Sequence, residues 1–120
     1  MKHLHDLTIK KFHEGLLNRE YSALKMAEDF FKWIETKAKN IGAYLSLDRE
    51  AAYLQAEKVD LALAKGVRVD ELAGVPLAIK DNILIVDQPA TAASKILKDY
   101  RASYDATVIR KLRQANAVFL

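Results

Sequence analysis

GVPLAIKDNI, residues 74–83, sets a lysine in the middle of an apolar run. Val75, Leu77, Ala78 and Ile79 lead into Lys80, and Ile83, Leu84, Ile85 and Val86 follow it closely. Pro76 has no backbone donor, which assigns it to the start or the edge of a strand. From Leu77 onward the run predicts a strand buried on both faces, as in parallel sheets. An ammonium is almost never fully buried unless it is paired. Lys80 therefore has two explanations. It can pair with Asp81 or another acid, or snorkel to the surface. Alternatively, burial disfavours its charged form, and a neutral amine beside a serine hydroxyl is a base. Serine–lysine arrangements do the work of Ser-His-Asp on unrelated folds.

Downstream, residues 87–103 are rich in loop formers, with small residues from Thr91 to Ser94. Asp105 or Ser103 is the expected cap of a last helix that turns Val108, Ile109, Leu112 and Ala115 inward. A second apolar strand begins at Ala117. Strand, helix and strand make a right-handed crossover with parallel strands. Such strands need more residues and cover on both faces, so residues 75–120 read as the opening of a larger α/β sheet, cut short. The unfinished strand edge predicts self-association of the isolated piece.

Upstream, Asp48 predicts the N-cap of a helix that ends at Gly66, with Ala52, Ala56, Val59 and Leu63 inward and Leu54 and Leu61 outward. The alternation in AYLSL, residues 43–47, predicts a short strand. Before it, Leu24, Ala27, Phe31, Ile34 and Ala38 repeat every three to four residues behind a Ser22 cap, with Met26, Phe30 and Trp33 as a second stripe. Gly42 stops that helix. Thr8 caps a first helix bearing Ile9, Phe12, Leu16 and Leu17 on one face.

The 120 residues are 51% apolar and 29% charged, the composition of a folded globular chain. Nineteen Lys and Arg against sixteen Asp and Glu leave a net +3, spread without a basic stripe, so no nucleic-acid groove is expected. The chain has no cysteine, which excludes disulfides and thiolate-bound metal. No run approaches the roughly 20 apolar residues of a membrane helix, and no signal peptide is evident, so a cytoplasmic protein is expected. His3, His5 and His13 form no metal constellation, and the isolated glycines form no phosphate loop. None of the serines or threonines stands in a glycine-flanked turn that would expose a nucleophile.

LAGVPLAIKDNI closely resembles the lysine motif of the amidase signature family. The likeness covers nearly the whole chain. LTIKKFHEGLLNREYSALKMAEDFFKWIE looks like the family's helical N-terminus, and NIGAYLSLDREAAYLQAEKVD looks like its first strand and following helix. TAASKILKDYRASYDATVIRKLRQANAVFL is similar to the family's segment after the lysine. DQPATAASKIL departs from the pattern, because the family more often places a glycine before this element.

The resemblance implies an α/β fold: N-terminal helices, then the first strands and crossover helix of a mixed sheet covered by helices on both faces. Residues 1–120 would be the N-terminal part of a single amidase-signature domain, helical over 1–41 and entering the sheet over 42–120. Lys80 takes the place of the base in a Ser-Ser-Lys triad. The two serines and the Gly/Ser-rich segment of the family's oxyanion hole lie downstream of Leu120, so the piece alone is expected to be inactive.

ASKIL and YDATVIRKL look most like the A-subunit branch of the glutamyl-tRNA(Gln)/aspartyl-tRNA(Asn) amidotransferases. Members of that branch hydrolyse glutamine through an acyl-enzyme. Their ammonia passes to a B subunit, which uses ATP and Mg to amidate mischarged tRNA, and a small C subunit holds the heterotrimer together. The resemblance implies no cofactor or metal on this chain, and tRNA contact mainly through the B subunit. Two alternatives are another family member acting on a small amide, and a non-catalytic module that binds a partner through Phe30, Phe31 and Trp33.

Overall fold

Thr8 and Ser22 each take an extended backbone and turn a hydroxyl onto the next helical turn. Thr8 accepts from the Lys11 amide at 3.2 Å and opens α1 (Ile9–Leu17); Ser22 accepts from the Lys25 amide at 3.0 Å and opens α2 (Ala23–Trp33). The computed structural model describes residues 6–120. His3 and His5 lie outside the described residues.

In α1 the buried positions are Phe12, Gly15 and Leu16. Ile9 and Leu17 are exposed, so the apolar face is narrower than expected. Leu17 follows Leu16 directly and stands about 100° round the helix from it. The Tyr21 ring lies across this helix and its hydroxyl donates to the carbonyls of Lys11 and Phe12.

Helix α2 continues past Trp33 as a wider π-turn over Ile34–Ala38, then a 3-10 turn over Lys39–Ile41, and stops at Gly42 with φ +64°. The change of pitch keeps Ile34 and Ala38 in the core. Phe31 is 1% exposed in the core and Trp33 packs half-buried against it, whereas Phe30 is half-buried outside that cluster.

Asp48 opens α3 (Arg49–Ala64), accepting from the Ala51 amide at 3.1 Å. Ala52, Ala56 and Val59 are fully buried against α2, where small side chains let the two backbones approach. Leu54 and Leu61 face outward as expected. Phe31 meets the Tyr53 ring edge-on at 5.5 Å, and the Arg49 guanidinium lies 5.1 Å from the Phe31 centroid.

Asp60 fastens α3 to α2 by a less obvious route. Its carboxylate accepts from the Ala23 amide at 2.7 Å and the Leu24 amide at 3.0 Å. With Ser22, it satisfies three of the amides that a helix start leaves without a partner. It also sits at the positive end of the α2 dipole. Asp60→Ala should lower stability by about 2 kcal/mol, measured as a shift in the urea midpoint at unchanged slope. A shift below about 0.5 kcal/mol would mean that water replaces the carboxylate.

Two short strands, β1 (Pro76–Leu77) and β2 (Val118–Phe119), pair in parallel with Pro76 opposite Val118 and Leu77 opposite Phe119. The connection between them contains α4 (Thr107–Gln114). Neighbouring residues of the strands point to opposite faces. Val75 and Val118 join the core of α1, α2 and α3, whereas Phe119 packs with Ile109 of α4, Ile79, Ile83 and Ile85. The sheet therefore has helices on both sides, which is an α/β arrangement. Gly74, at φ +78°, enters β1 where a Cβ would stand 3.0 Å from that of Ala23 and 3.2 Å from Leu16. On the edge of β2 turned away from β1, the Phe119 amide donates to Gln55 of α3 at 2.9 Å.

Three expectations need correction. Residues 43–47 form no strand, because among the described residues no segment offers them a hydrogen-bonded partner. The strand that starts at Pro76 ends at Leu77 instead of running on through Lys80; the chain turns there, with the Ile83 amide donating to the Lys80 carbonyl at 2.9 Å. Asp105 does not cap α4, whose cap residue Ala106 makes no side-chain bond. Its carboxylate instead accepts from the Val86 amide at 2.8 Å and from Arg113 Nε at 2.9 Å, joining the loop after Lys80 to the far end of α4.

Candidate active site

Beyond Leu77 the chain leaves the sheet and forms one wall of a cleft of about 570 Å³. Ile79, Lys80 and Asp81 lie on that wall. Tyr44 faces the cleft from the segment before α3, Asp48 from its cap, Ala92 and Ala93 from the loop, and Arg113 from α4. Lys80 is exposed here, not enclosed by an apolar strand, because the segment bearing it has turned out of the sheet. Burial within the described residues therefore does not account for the lysine.

The expected ion pair is absent as well. Lys80 forms no salt bridge among the described residues, although Asp81 is its neighbour in sequence. The Asp81 carboxylate is engaged elsewhere: it accepts from the Thr91 amide at 3.1 Å and from the Thr91 hydroxyl. The Asp81 carbonyl accepts from the Ala92 amide at 3.0 Å. These bonds hold a turn in which Ala92 and Ala93 both take left-handed conformations, at φ +48° and +57°. Non-glycine residues reach that region only at a cost, so the turn persists through its bonds to Asp81. In the sequence, Thr91 stands out only for its size, and nothing there marks it as the partner of Asp81.

Other side chains give the cleft a fixed frame. Asp48 accepts from Gln88 Nε2 at 2.8 Å while it caps α3, and Gln55 holds β2. Arg113 is fixed by Asp105 and lies 5.2 Å from the Phe119 ring centroid. Ser46 lines the cleft, but no hydroxyl is hydrogen-bonded to Lys80 among the described residues. No group of three metal-ligating side chains occurs among the described residues, and no helix there is long and apolar enough to cross a membrane. His13 sits half-buried on α1, away from the cleft lining.

The hydroxyl and then the amide of Thr91 hold the Asp81 carboxyl below its ordinary range, against a smaller opposing effect of burial. Partial burial pushes Asp105 up, but the Val86 amide and Arg113 together outweigh it and hold that carboxyl low too. A carboxyl whose folded value lies below its unfolded value of about 3.9 stabilises the fold above that pH. The stabilisation is lost as pH falls through the lowered folded value. The urea midpoint should therefore drop as the pH is lowered below about 4, and drop less steeply in Asp105→Asn. Equal slopes for the two proteins would contradict this assignment.

A cleft beyond the carboxyl ends of parallel strands is where α/β folds bind their ligands, and Lys80 lies on its wall. Residues 25–120 match the family model described as Amidase, and the chain belongs to the amidase signature family. It is 44% identical over 117 residues to the A subunit of the glutamyl-tRNA(Gln) amidotransferase of Desulforudis audaxviator, covering 98% of this chain and 24% of that protein. The protein of the same name from Fusobacterium nucleatum is 38% identical with the same coverage. The chain thus spans about a quarter of the length of these relatives.

Among solved structures, it superposes with TM-score 0.90 and 29% identity on a chain of a vestigial complex related to the origins of an s-triazine catabolic enzyme, covering 95% of this chain and 25% of that one. The peptide amidase of Stenotrophomonas maltophilia superposes with TM-score 0.88 at 24% identity, over 96% of this chain and 24% of that one, which is a likeness of fold.

Proposed function

We propose that these residues form the N-terminal part of an amidotransferase A subunit, with Lys80 as its catalytic base. The observation that carries the proposal is the placing of the GVPLAIKDNI lysine, free of any ion pair among the described residues, on the wall of the large cleft. The 44% identity over 98% of the chain to a relative of that name supports the branch.

In the proposed reaction the Lys80 amine takes a proton from a bridging serine, which takes one from a nucleophilic serine. Both serines are proposed to lie in the part of the full-length protein beyond these residues. The activated oxygen attacks the side-chain amide carbon of glutamine. The C–N bond breaks, nitrogen leaves as ammonia carrying a proton returned through the bridge, and water then hydrolyses the ester to glutamate. A general base must reach hydrogen-bond distance of the proton it removes. An exposed amine on a braced stem can do so once a serine-bearing wall closes the cleft.

The partners follow from the branch: a B subunit that uses ATP and Mg to activate mischarged tRNA, and a small C subunit, working together in the cytoplasm. Residues 1–120 alone are proposed to be inactive.

The test is amide hydrolysis by the full-length protein, alone and with a B-type subunit. Glutamine hydrolysis that feeds amidation of Glu-tRNA(Gln) or Asp-tRNA(Asn) supports the proposal. Turnover of small amides, with no glutamine hydrolysis and no co-purifying B subunit, would keep the family and overturn the branch.

A further inference from the structure

We infer that Thr91 is a positioning residue that holds the Asp81 carboxylate away from Lys80, leaving the amine unpaired in the cleft. The inference rests on the proposed role of Lys80 as base and adds to it a device that keeps the base usable. A lysine followed directly by an aspartate faces an obvious competitor. A carboxylate within about 4–6 Å favours the charged ammonium, and a charged lysine accepts no proton. Here that competitor makes no ion pair with Lys80 and is bonded to Thr91 instead.

Asp81 commits one oxygen to the Thr91 amide and the other to the Thr91 hydroxyl. The same hydroxyl accepts from the Ala93 amide at 3.3 Å, and the Ser94 amide donates to the Thr91 carbonyl at 2.8 Å. The Ala92 amide closes the set on the Asp81 carbonyl. One threonine thus collects the carboxylate, supports two left-handed alanines and ties the peptide after Lys80 to the loop that carries Ala92 and Ala93.

The consequence for Lys80 has two parts. Its side chain is a flexible four-carbon stem, and fixing the next residue through three bonds limits where that stem can start. A catalytic group must be held to within a fraction of an ångström, and the fastening of Asp81 supplies the root of that order. The other part is electrostatic. The remaining charged groups on the cleft are Asp48 and Arg113, and the remaining titratable one is Tyr44. Asp48 is occupied by the Ala51 amide and Gln88, and Arg113 by Asp105. Asp81 is therefore the acid best placed to capture the lysine, and the hydroxyl of Thr91 is what occupies its second oxygen.

The experiment compares pH profiles of kcat/KM for amide hydrolysis by the full-length protein. Thr91→Val keeps the shape and the amide but removes the hydroxyl. It should move the acidic limb upward by about one pH unit and cost about tenfold in rate on that limb. Thr91→Ser, which keeps the hydroxyl, should return the profile to that of the parent. The double variant Thr91→Val, Asp81→Asn should bring the limb back down, because the freed side chain no longer carries charge. A purely structural threonine would lower the unfolding temperature without moving the limb. Thr91→Ala repeats the comparison should the valine variant not fold.

A limb that stays within about 0.2 pH units in Thr91→Val, or that stays raised in the double variant, would overturn the inference. Full activity in Lys80→Ala would overturn it together with the proposed base. An inactive Lys80→Ala with a silent Thr91→Val would overturn this inference alone.

Discussion

Lys80→Ala in the full-length protein is expected to lower kcat for amide hydrolysis by roughly 10³-fold or more while leaving the fold intact. Members of a proton-relay triad act as a unit, and removing one forfeits most of what the set provides. The location of the residue makes the experiment clean. Lys80 is exposed, makes no ion pair among the described residues and lends only its backbone to the turn at Ile83. Among the described residues its side chain has no ion-pair partner, so truncation removes no such bond from this part of the fold. Activity and unfolding midpoint therefore separate: the first collapses and the second stays. A loss under about tenfold would mean that Lys80 is a surface lysine and that another group removes the proton.

Phe31→Ala is expected to have the largest effect on stability, about 3–5 kcal/mol. Phe31 is 1% exposed in the seam between α2 and α3, with Tyr53 against its edge and Arg49 against its face. Truncation leaves a cavity that neighbouring helices cannot readily fill, because Ala52 and Ala56 opposite are small and on a rigid helix. It also strands the Arg49 guanidinium without its ring. A small domain holds only about 5–15 kcal/mol in total, so this one change removes a large share of it. Chemical denaturation of the full-length protein should show the loss, with lowered solubility during expression as a companion effect. A loss below about 1 kcal/mol would mean that the α2–α3 seam collapses around the gap.

How much could be seen in the sequence depends on the range of the interactions concerned. Thr8, Ser22 and Asp48 were legible as caps because a cap bonds an amide only three residues ahead. The inner faces of α2 and α3 were legible because their repeat needs no knowledge of the partner. Strands are different, since a strand exists only where another segment pairs with it. AYLSL alternates suitably yet has no partner among the described residues, and the run from Leu77 leaves the sheet as soon as it has passed β2.

Side chains acting at long range were the least legible. Asp105 stands where a cap belongs, but Val86, nineteen residues before it, offers its carboxylate a better donor. Asp60, thirty-seven residues from Ala23, caps a helix that is not its own. Lys80 itself could be singled out from its apolar neighbours. Its exposure could not, because that depends on where the chain turns after the strand.

The measurement that bears most directly on the central claim is the distance from Lys80 Nζ to the nearest serine Oγ in an experimental structure of the full-length protein. The proposed proton relay requires a serine oxygen within about 3.2 Å of that amine, on a wall that closes the cleft over it. An amine left in open solvent with no serine oxygen in reach would contradict the assignment of Lys80 as the base.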